Sequence, residues 1–362
     1  MLGTSNIRFT NNNRQFYMEL KKRVDAYFKE NNISKTGNIN MYIKTIFMIS
    51  AYVVPFTLLC TGIFESKLVW WMLAGIMGFA MAGIGLCIMH DANHGSYSNN
   101  KKLNSFLGFS INLLGGHAMN WKIQHNVIHH TFTNVHNHDE DITPPGFMRF
   151  EPHAKRKWIH KLQFIYAWIF YGMMTMMWTS TKDFKQLRRY EKLGLVKAQN
   201  STFMKELMII IFSKVFYFAY MILPFVFVSN MTFIDWVIGF LTIHYIAGFV
   251  LAAIFQPAHV AETTEFPLPT ESGNLENDWA IHQIKTTMNF ANGNPILSWL
   301  MGGLNFQVEH HLFPTICHVH YPKISKIVKE TAAEFQLPYL SKKTFIGALW
   351  SHEMMLWKLG RA

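Results

Sequence analysis

The sequence predicts an all-α, polytopic membrane protein, and three observations support that prediction. Half of the 362 residues are hydrophobic, and only 15% are charged. Four stretches of about 20 apolar residues are each long enough to cross a bilayer as a helix. The stretches form two pairs, and a very short loop joins the members of each pair. We therefore expect four transmembrane helices arranged as two hairpins.

The first hairpin is expected from Met41–Phe64 and Leu68–Met89, which only Glu65, Ser66 and Lys67 separate. The second of these stretches has no charged residue, and the first has one charge near its start. A loop this short returns the chain to the side of the membrane from which it came. Both ends of the hairpin should therefore lie on one side.

The second hairpin is expected from Leu207–Val228 and Phe233–Phe255, joined by residues 229–232. Its two charged residues are Lys214 and Asp235. Lys214 lies in the first turns of its helix, so we expect its side chain to snorkel to the interface.

The distribution of basic residues predicts the orientation in the membrane. Lys67 is the one basic residue in the two hairpin loops, although the chain has 33 lysines and arginines. By the positive-inside rule the N-terminal, central and C-terminal segments are cytoplasmic. Three clusters of histidines, within residues 90–94, 125–130 and 307–311, lie in these segments. We expect a multi-pass protein of a bacterial inner membrane, with a histidine-rich cap on its cytoplasmic face.

Two shorter apolar stretches, Phe106–Met119 and Gln163–Thr181, are expected to form re-entrant or interfacial helices. If Gln163–Thr181 crossed the membrane, the second hairpin would be inverted, so we place it in the interface. Apolar residues at helical spacing also predict an amphipathic surface helix near the N-terminus, from Phe16 to Phe28. The expected organisation is a cytoplasmic segment over residues 1–40, a membrane domain over 41–340 and a C-terminal tail over 341–362.

The composition also narrows the classes of partner. The excess of lysine and arginine suits anionic lipid headgroups or an anionic substrate headgroup. We expect no nucleic-acid partner, since no basic arm or nucleic-acid motif is found. Cys60, Cys87 and Cys317 follow no pairing or metal-binding spacing, and we expect buried free thiols.

Clusters of histidines beside the apolar stretches predict a metal site. His90 and His94 are four residues apart, so on a helix they project from one face, and the same holds for His125 and His129. His130 points about 100° away from His129, so consecutive histidines can serve two neighbouring metals.

A third cluster, Gln307, His310 and His311, repeats this geometry. The three clusters supply seven imidazoles, more than one ion can take, so two metal ions are expected. Imidazole suits zinc, copper, iron and nickel alike, so ligand type leaves the metal open. His259 follows the second hairpin as His90 follows the first, and it is the eighth expected ligand.

Other residues near the clusters have expected roles that do not involve direct catalysis. The acidic patch Asp139–Asp141 is expected to be a solvated loop that pairs with Arg149 or Arg156. His244 is expected to be a hydrogen-bonded core residue of its span. No catalytic side chain beyond the metal ligands is expected. The residues expected to orient the metal ligands are Gln307, His282, Gln256 and Asn126.

The clusters have the form H-x-x-x-H, H-x-x-x-H-H and [HQ]-x-x-H-H, and their flanks Trp121–Asn126 and Gly302–Pro314 are distinctive as well. On these motifs the sequence resembles the membrane fatty acid desaturase family from about Tyr42 to Leu340. Because a glutamine opens the third box, it is similar to the branch often called linoleoyl-CoA or front-end desaturases.

The resemblance implies a di-iron centre that uses O2 and two electrons to introduce a cis double bond into a long-chain acyl-CoA or acyl-lipid. His259 matches an extra histidine that the family places after its fourth membrane helix. The cytochrome b5 domain that many front-end relatives carry is not found, so a separate electron donor is expected, either a ferredoxin or a cytochrome b5. By match to the boxes, the iron ligands would be His90, His94, His125, His129, His130, His310 and His311.

Three other classes of protein remain open from the sequence. A lipid hydroxylase on the same scaffold would share every box and would insert oxygen. A zinc-dependent membrane hydrolase such as a ceramidase would also gather histidines at a helix bundle, but it normally needs fewer ligands and one metal. A metal transporter would place its histidines within the spans, whereas most of these follow the span ends.

Overall fold

A computed structural model describes residues 7–10, 14–228 and 230–362. Most of these residues are helical, and four two-residue strands form two parallel pairs. The chain divides into two compact units. The span unit consists of Asn38–Ile123 and Trp168–Ala252. The histidine unit consists of the described residues up to Gly37 together with Gln124–Ala167 and Ala253–Ala362.

The elements follow one another along the chain in this order. The first half contains β1 (Arg8–Phe9), α1 (Arg14–Glu30), α2 (Ile39–Thr61), α3 (Lys67–Gly83), a π-helix (Ile84–Met89), α4 (His90–His94), α5 (Lys101–Gly108), α6 (Ser110–Leu113), α7 (Ala118–Lys122), a second π-helix (Ile123–His129), α8 (His130–Phe132), a 3₁₀-helix (Trp158–Leu162), α9 (Gln163–Tyr171), α10 (Met174–Met177) and a third π-helix (Trp178–Lys182). The second half contains α11 (Asp183–Lys192), α12 (Leu195–Ala198), α13 (Phe203–Met221), α14 (Leu223–Phe227), α15 (Phe233–His259), β2 (Asn274–Leu275), α16 (Trp279–Thr286), β3 (Asn289–Phe290), α17 (Pro295–Leu300), α18 (Gln307–Leu312), a 3₁₀-helix (His318–His320), α19 (Tyr321–Glu334), β4 (Ser341–Lys342) and α20 (Phe345–Leu359).

Within the described residues, four helices are long and apolar enough to cross a membrane, in agreement with the predicted four spans. Their mean hydropathy lies between 1.8 and 2.2. Two spans extend further than expected, because their helices continue through the first histidine box and as far as His259. The spans are Ile39–Thr61, Lys67–His94, Phe203–Phe227 and Phe233–His259.

The two hairpin loops lie at the same end of the span unit. Lys67 starts the second span, and its ammonium lies 2.9 Å from the carboxylate of Asp235 near the start of the fourth span. Asp235 also accepts a hydrogen bond from the hydroxyl of Thr232. His90 and His94 at the end of the second span, and His259 at the end of the fourth, therefore lie at the opposite ends of these helices from the loops, as the two predicted hairpins require.

Lys214 does not snorkel, and that expectation is wrong. Its side chain is buried in the span unit, where its ammonium lies 2.8 Å from the carboxylate of Asp183. It also donates to the carbonyls of Gly115 and Trp178. These protein acceptors replace the water that a snorkelling lysine would reach.

The two shorter apolar stretches form short helices interrupted by turns, and neither forms a single helix long enough to span. The second stretch packs against the middle of α15, where the Thr175 hydroxyl donates to the carbonyl of His244. The His244 ring bonds Thr175 through Nδ1 and the Tyr217 hydroxyl through Nε2, at 3.0 and 2.6 Å. His244 is therefore a hydrogen-bonded core residue, as predicted.

In the histidine unit, α1 covers part of the core with its apolar face. Phe16, Leu20, Val24 and Phe28 are buried against residues of α16, α18 and α19. The predicted amphipathic helix is confirmed, and its apolar side contacts the chain itself.

The residues expected to form a C-terminal tail are folded. β4 pairs in parallel with β3, and α20 follows it. His352 of α20 is buried and donates from Nδ1 to the carbonyl of Val260, 2.7 Å away.

Candidate metal centre

The second histidine box lies on a π-helix that continues into α8. In an α-helix, residues five apart point about 140° away from each other. The wider π-turn instead brings residues five apart onto one side. As a result the Nε2 atoms of His125 and His130 lie 3.2 Å apart. The sequence predicted a pairing of His125 with His129, whose rings are stacked with centroids 5.4 Å apart.

His310 of α18 completes a first imidazole cluster with His125 and His130. Its Nε2 atom lies 3.3 Å from that of His125 and 2.9 Å from that of His130. All three side chains are buried. Three imidazole nitrogens that converge in this way form a donor set for one cation.

His129, His259 and His311 form a second imidazole cluster. One ring nitrogen of each lies within 4.8 Å of those of the other two. The ring centroids are 4.6 Å apart for His129 and His259, 5.0 Å for His129 and His311, and 4.8 Å for His259 and His311. The structure therefore brings His259, the least regular of the predicted ligands, into contact with two box histidines.

Consecutive histidines divide between the two imidazole clusters. His129 and His130 are neighbours in the chain but belong to different clusters, and the same is true of His310 and His311. This is the division that a rotation of about 100° per residue predicts. The clusters adjoin, since the rings of His130 and His311 have centroids 4.4 Å apart. The donor set therefore suits two neighbouring ions.

Asp139 fixes the orientation of His129. Its carboxylate is buried and lies 3.0 Å from Nδ1 of the imidazole. The carboxylate of Asp141 lies 3.4 Å from the same nitrogen. The expectation of a solvated acidic loop is wrong, and Arg149 instead donates to backbone carbonyls, including that of Leu359. A carboxylate that accepts from Nδ1 leaves Nε2 available for a metal.

The charge of these carboxylates also shifts the titration of the ring. Burial lowers the pKa of His129, but the nearby Asp139 and Asp141 raise it by more, to about 9. The same negative charge favours a metal cation at Nε2.

Two further rings are held through Nδ1 by neutral acceptors. Nδ1 of His311 donates to the side-chain oxygen of Gln283 at 2.8 Å, and Nδ1 of His259 lies 3.4 Å from the carbonyl of Thr286. With Nδ1 carrying the hydrogen, each ring presents the lone pair of Nε2. Thus all three members of the second imidazole cluster have an acceptor on Nδ1, which fits a bound cation.

In the first imidazole cluster, Nδ1 of His310 lies 3.3 Å from the hydroxyl of Tyr321. Gln283, Thr286 and Tyr321 were missed in the sequence, and Asp139 was assigned to a solvated loop. Nothing in their spacing relative to the boxes marks them, because each reaches its histidine through the fold.

Of the residues expected to orient ligands, His282 donates from Nε2 to the carbonyl of Thr133 at 2.8 Å. The Thr133 hydroxyl in turn contacts Gln283 and the ring of His311. Gln307, the first residue of α18, is buried.

Asn126 lies within the second π-helix, and Gln256 lies on the last turn of α15. Glu309 was also missed, although it lies inside the third box. Burial raises the pKa of Glu309 to about 7, although the hydrogen bonds that it accepts from Tyr339 and Asn289 lower the pKa in part.

His90 and His94 lie in the span unit, on the last helical segment of the second span. Their ring centroids are 4.7 Å apart, so the spacing of four residues does bring them to one face, as predicted. Both rings contact Trp121 edge to face, at 5.5 and 5.8 Å between centroids. Trp121 therefore supports both imidazoles of the first box.

The donor set as a whole fits transition-metal ions. Six imidazoles of the histidine unit form two adjoining clusters, and with His90 and His94 the expected ligand set has eight imidazoles, more than one tetrahedral or octahedral ion can bind. Imidazole ligands suit iron, copper, zinc and nickel.

Comparison with known proteins identifies the family. A family model described as "Fatty acid desaturase" matches residues 66–343. The sn-1 linoleoyl-lipid 6-desaturase of Arthrospira platensis is 34% identical over 95% of this chain and 92% of its own length. The enzyme of the same name from Synechocystis sp. is 35% identical over the full length of both chains. The acyl-lipid (8-3)-desaturase of Physcomitrium patens is 38% identical over 96% of this chain and 72% of its own length.

These matches confirm the resemblance on which the boxes were interpreted, including the front-end branch. The four apolar spans and the family together make the chain an integral membrane protein. With its histidine clusters and its full-length relatives, the chain belongs to the fatty acid desaturase family of oxidoreductases.

Proposed function

We propose that this desaturase introduces a cis double bond into a long-chain acyl group of a membrane lipid, with two iron ions held by histidine. The observation that carries the proposal is the convergence of six buried imidazoles, His125, His130 and His310 in one cluster and His129, His259 and His311 in the adjoining one. By match to the boxes, His90 and His94 complete the ligand set, which then has eight members with His259.

Iron fits the reaction better than the other metals that imidazole binds. An unactivated methylene has no acidic proton, so acid–base chemistry cannot remove its hydrogens. When bound, the di-iron centre supplies the oxidant, with O2 as the acceptor and two electrons from a donor. Neutral imidazoles leave such a centre strongly cationic, and ligand charge is one control on reduction potential.

The chain's own residues prepare this site. Asp139, Gln283 and Thr286 accept hydrogen bonds from Nδ1 and so direct Nε2 of their imidazoles toward the metal. The ligands of both clusters are buried, which keeps bulk water away from a reactive centre.

The substrate is proposed from the relatives. Those from Arthrospira and Synechocystis are named for linoleoyl-lipid, and the one from Physcomitrium for acyl-lipid. We therefore favour a lipid-bound acyl chain over acyl-CoA. Their names and the glutamine that opens the third box favour insertion between an existing double bond and the carboxyl end.

Two further features are proposed from the sequence. The proposed electron donor is a ferredoxin or a cytochrome b5. The histidine boxes face the cytoplasm of a bacterial inner membrane, in accord with the positive-inside rule.

Expression with a compatible donor in a host of simple lipid profile, followed by gas chromatography of its fatty acids, tests the reaction. We expect a new unsaturated acid that disappears in His129→Ala and persists in His153→Ala, a change at an exposed histidine of the same unit. A new hydroxy acid without a new olefin would assign the chain to the hydroxylases instead.

Metal analysis of the purified protein tests the centre separately. We expect about two iron ions per chain, in line with two adjoining clusters. One zinc ion and no iron would contradict the proposal.

A further inference from the structure

We propose that a cavity of the span unit, lined by both charged and apolar residues, binds the phosphate of the substrate's headgroup. This inference rests on the proposed function, since it names the class of carrier that presents the acyl chain. The cavity has a volume of about 240 Å³. It lies among the short helices that follow the second span and the start of α13.

The lining of the cavity is rich in hydrogen-bond donors and positive charge. Lys122 and Lys205 contribute two ammonium groups, and both interact electrostatically with the cavity residue Glu206. Asn200, Ser105 and other neutral residues add amide and hydroxyl donors. Phosphate oxygens accept from ammonium and amide groups alike.

The helix that enters the cavity adds a further favourable field. Lys205 and Glu206 lie in the first turns of the 19-residue α13, whose N-cap is Thr202. The N-terminus of a helix carries a partial positive charge that favours an anion, while Thr202 already accepts hydrogen bonds from the backbone N–H groups of Lys205 and Glu206.

The one carboxylate in the cavity is already hydrogen-bonded. Glu206 accepts from Nε2 of His117 at 3.1 Å through one oxygen and from the Ser201 hydroxyl through the other. His117 in turn accepts from the backbone N–H of Asn120 on Nδ1, so its Nε2 carries the hydrogen. The cavity therefore contains the positive charges of Lys122 and Lys205 and the negative charge of Glu206, and both oxygens of Glu206 already accept hydrogen bonds. The excess of positive charge makes the cavity suitable for an anion.

The cavity borders the first histidine box. Asn93 lines it and lies between His90 and His94 in the chain. Its amide donates to the carbonyl of Gly108 at 3.2 Å, and a Cβ added at Gly108 would lie 2.3 Å from the Asn93 oxygen. An anion in the cavity would thus be held beside the helical turn that carries two of the proposed metal ligands.

Part of the lining is apolar, which distinguishes a headgroup site from a site for a free ion. Phe109, Met119 and Ile209 line the same cavity as the lysines. A ligand with a phosphate and the first atoms of an acyl ester would contact both kinds of surface. Phospholipids and acyl-CoA share this chemistry, whereas a glycolipid with an uncharged sugar does not.

Binding to the purified full-length protein in detergent tests the inference without any turnover. The probes are phosphatidylethanolamine, monogalactosyl diacylglycerol with the same linoleoyl chains, linoleoyl-CoA and inorganic phosphate, and the readout is tryptophan fluorescence. We expect the phosphate-bearing lipid or the CoA ester to bind about tenfold more tightly than the galactolipid, as one charge-assisted contact implies.

Lys122→Gln and Lys205→Gln should each weaken that binding by about tenfold. Lys205 is exposed, so we expect its variant to fold. It therefore tests the inference even if the change at the less exposed Lys122 impairs folding. Lys101→Gln and Lys102→Gln are matched controls, since these exposed lysines of the neighbouring α5 do not line the cavity. They should leave binding unchanged.

The outcomes separate this inference from the proposed function. Preference for the phospholipid, or for linoleoyl-CoA, would support the cavity and identify the carrier. Equal binding of the galactolipid, binding of inorganic phosphate as tight as that of the lipids, or unchanged affinity in both lysine variants would overturn it. Specific binding by a protein that forms no olefin in cells would leave the cavity in place and contradict the proposed function alone.

Discussion

At the scale of single residues, the proposed metal ligand His129 depends on a carboxylate that the sequence does not mark. Asp139 is buried, and it also accepts hydrogen bonds from the backbone N–H groups of Asn134 and Asp141. Those bonds hold the carboxylate in place before any metal binds. The imidazole is therefore oriented by a group that is itself fixed.

Asp139→Asn should lower metal affinity by about 10- to 100-fold, because the amide keeps the shape but not the charge behind the imidazole. Metal retained after dialysis against a graded series of chelators measures the loss. Asp25→Asn changes a partly exposed carboxylate of the same unit that pairs with Lys35, and it should retain metal normally. Equal retention in both variants would show that Asp139 does not support the site.

The buried pair of Lys214 and Asp183 makes a second prediction. Lys214→Met leaves the Asp183 carboxylate buried without its counter-ion, and we expect a loss of about 3–5 kcal/mol in the free energy of unfolding. The double variant Lys214→Met with Asp183→Asn should recover much of that loss. Thermal unfolding in detergent measures both, and a single variant as stable as the parent would rule out an important ion pair.

At the scale of elements, two of the three histidine boxes adjoin or occupy π-helices. The first π-helix ends at Met89, directly before His90, and the second contains His125 and His129. Each wide turn shifts the register of the side chains that follow it. The pairing of histidines in the second box is therefore set by this turn, which a spacing rule for α-helices does not anticipate.

Leu20 of α1 tests whether the N-terminal helix is part of the core. The side chain is fully buried against the histidine unit, so Leu20→Ala should cost about 3 kcal/mol in stability. Met18 of the same helix is 68% exposed, and Met18→Ala should have little effect. Unfolding curves and the rate of proteolysis between α1 and α2 would show the difference, and equal behaviour of the variants would contradict the packing.

His352 of α20 predicts a dependence of stability on pH. Burial lowers the pKa of His352 to about 4, against about 6.5 for an unfolded chain. Between about pH 6.5 and pH 4, His352 is protonated in the unfolded chain but not in the folded protein. The free energy of unfolding therefore decreases as the pH is lowered through this range. Between pH 7 and pH 5 this histidine alone should account for about 2 kcal/mol.

Chemical unfolding of the parent and of His352→Gln at the two pH values isolates the effect. Glutamine keeps a donor for the Val260 carbonyl but does not titrate. The variant should lose less stability than the parent on acidification. Burial also lowers the pKa of His282 to about 4, and this histidine contributes equally in both proteins. Identical slopes would exclude His352 as a source of the pH dependence.

At the scale of the whole molecule, both hairpin loops should be accessible only from the non-cytoplasmic side. Cysteine introduced at Ser66 and at Asn230, in a background without the three native thiols, should react with an impermeant reagent in intact cells. Cysteine at Ser98 or Asn137 should react only after the cells are permeabilised. Labelling at either of these two positions in intact cells would contradict the proposed orientation.

The spans and the box histidines could be predicted from the sequence because each depends on local properties. The length of an apolar run is set by bilayer thickness, and the pairing of His90 with His94 follows from one helical turn. Asp139 and Lys214 were misjudged for the opposite reason. Each is a charged residue whose partner comes from another helix or from a loop that folds back, and no local pattern records that contact.

The packing of α1 has a consequence for how the protein is made. This helix ends at Glu30, whereas its partner α19 begins at Tyr321. At a synthesis rate of about 5–20 residues per second, α1 waits on the order of 15–60 seconds after leaving the ribosome before α19 exists. Its apolar face must be shielded meanwhile. Because His311 is also made late, the second imidazole cluster is complete only near the end of translation, so we expect the proposed metal to bind there only after all four spans have been made.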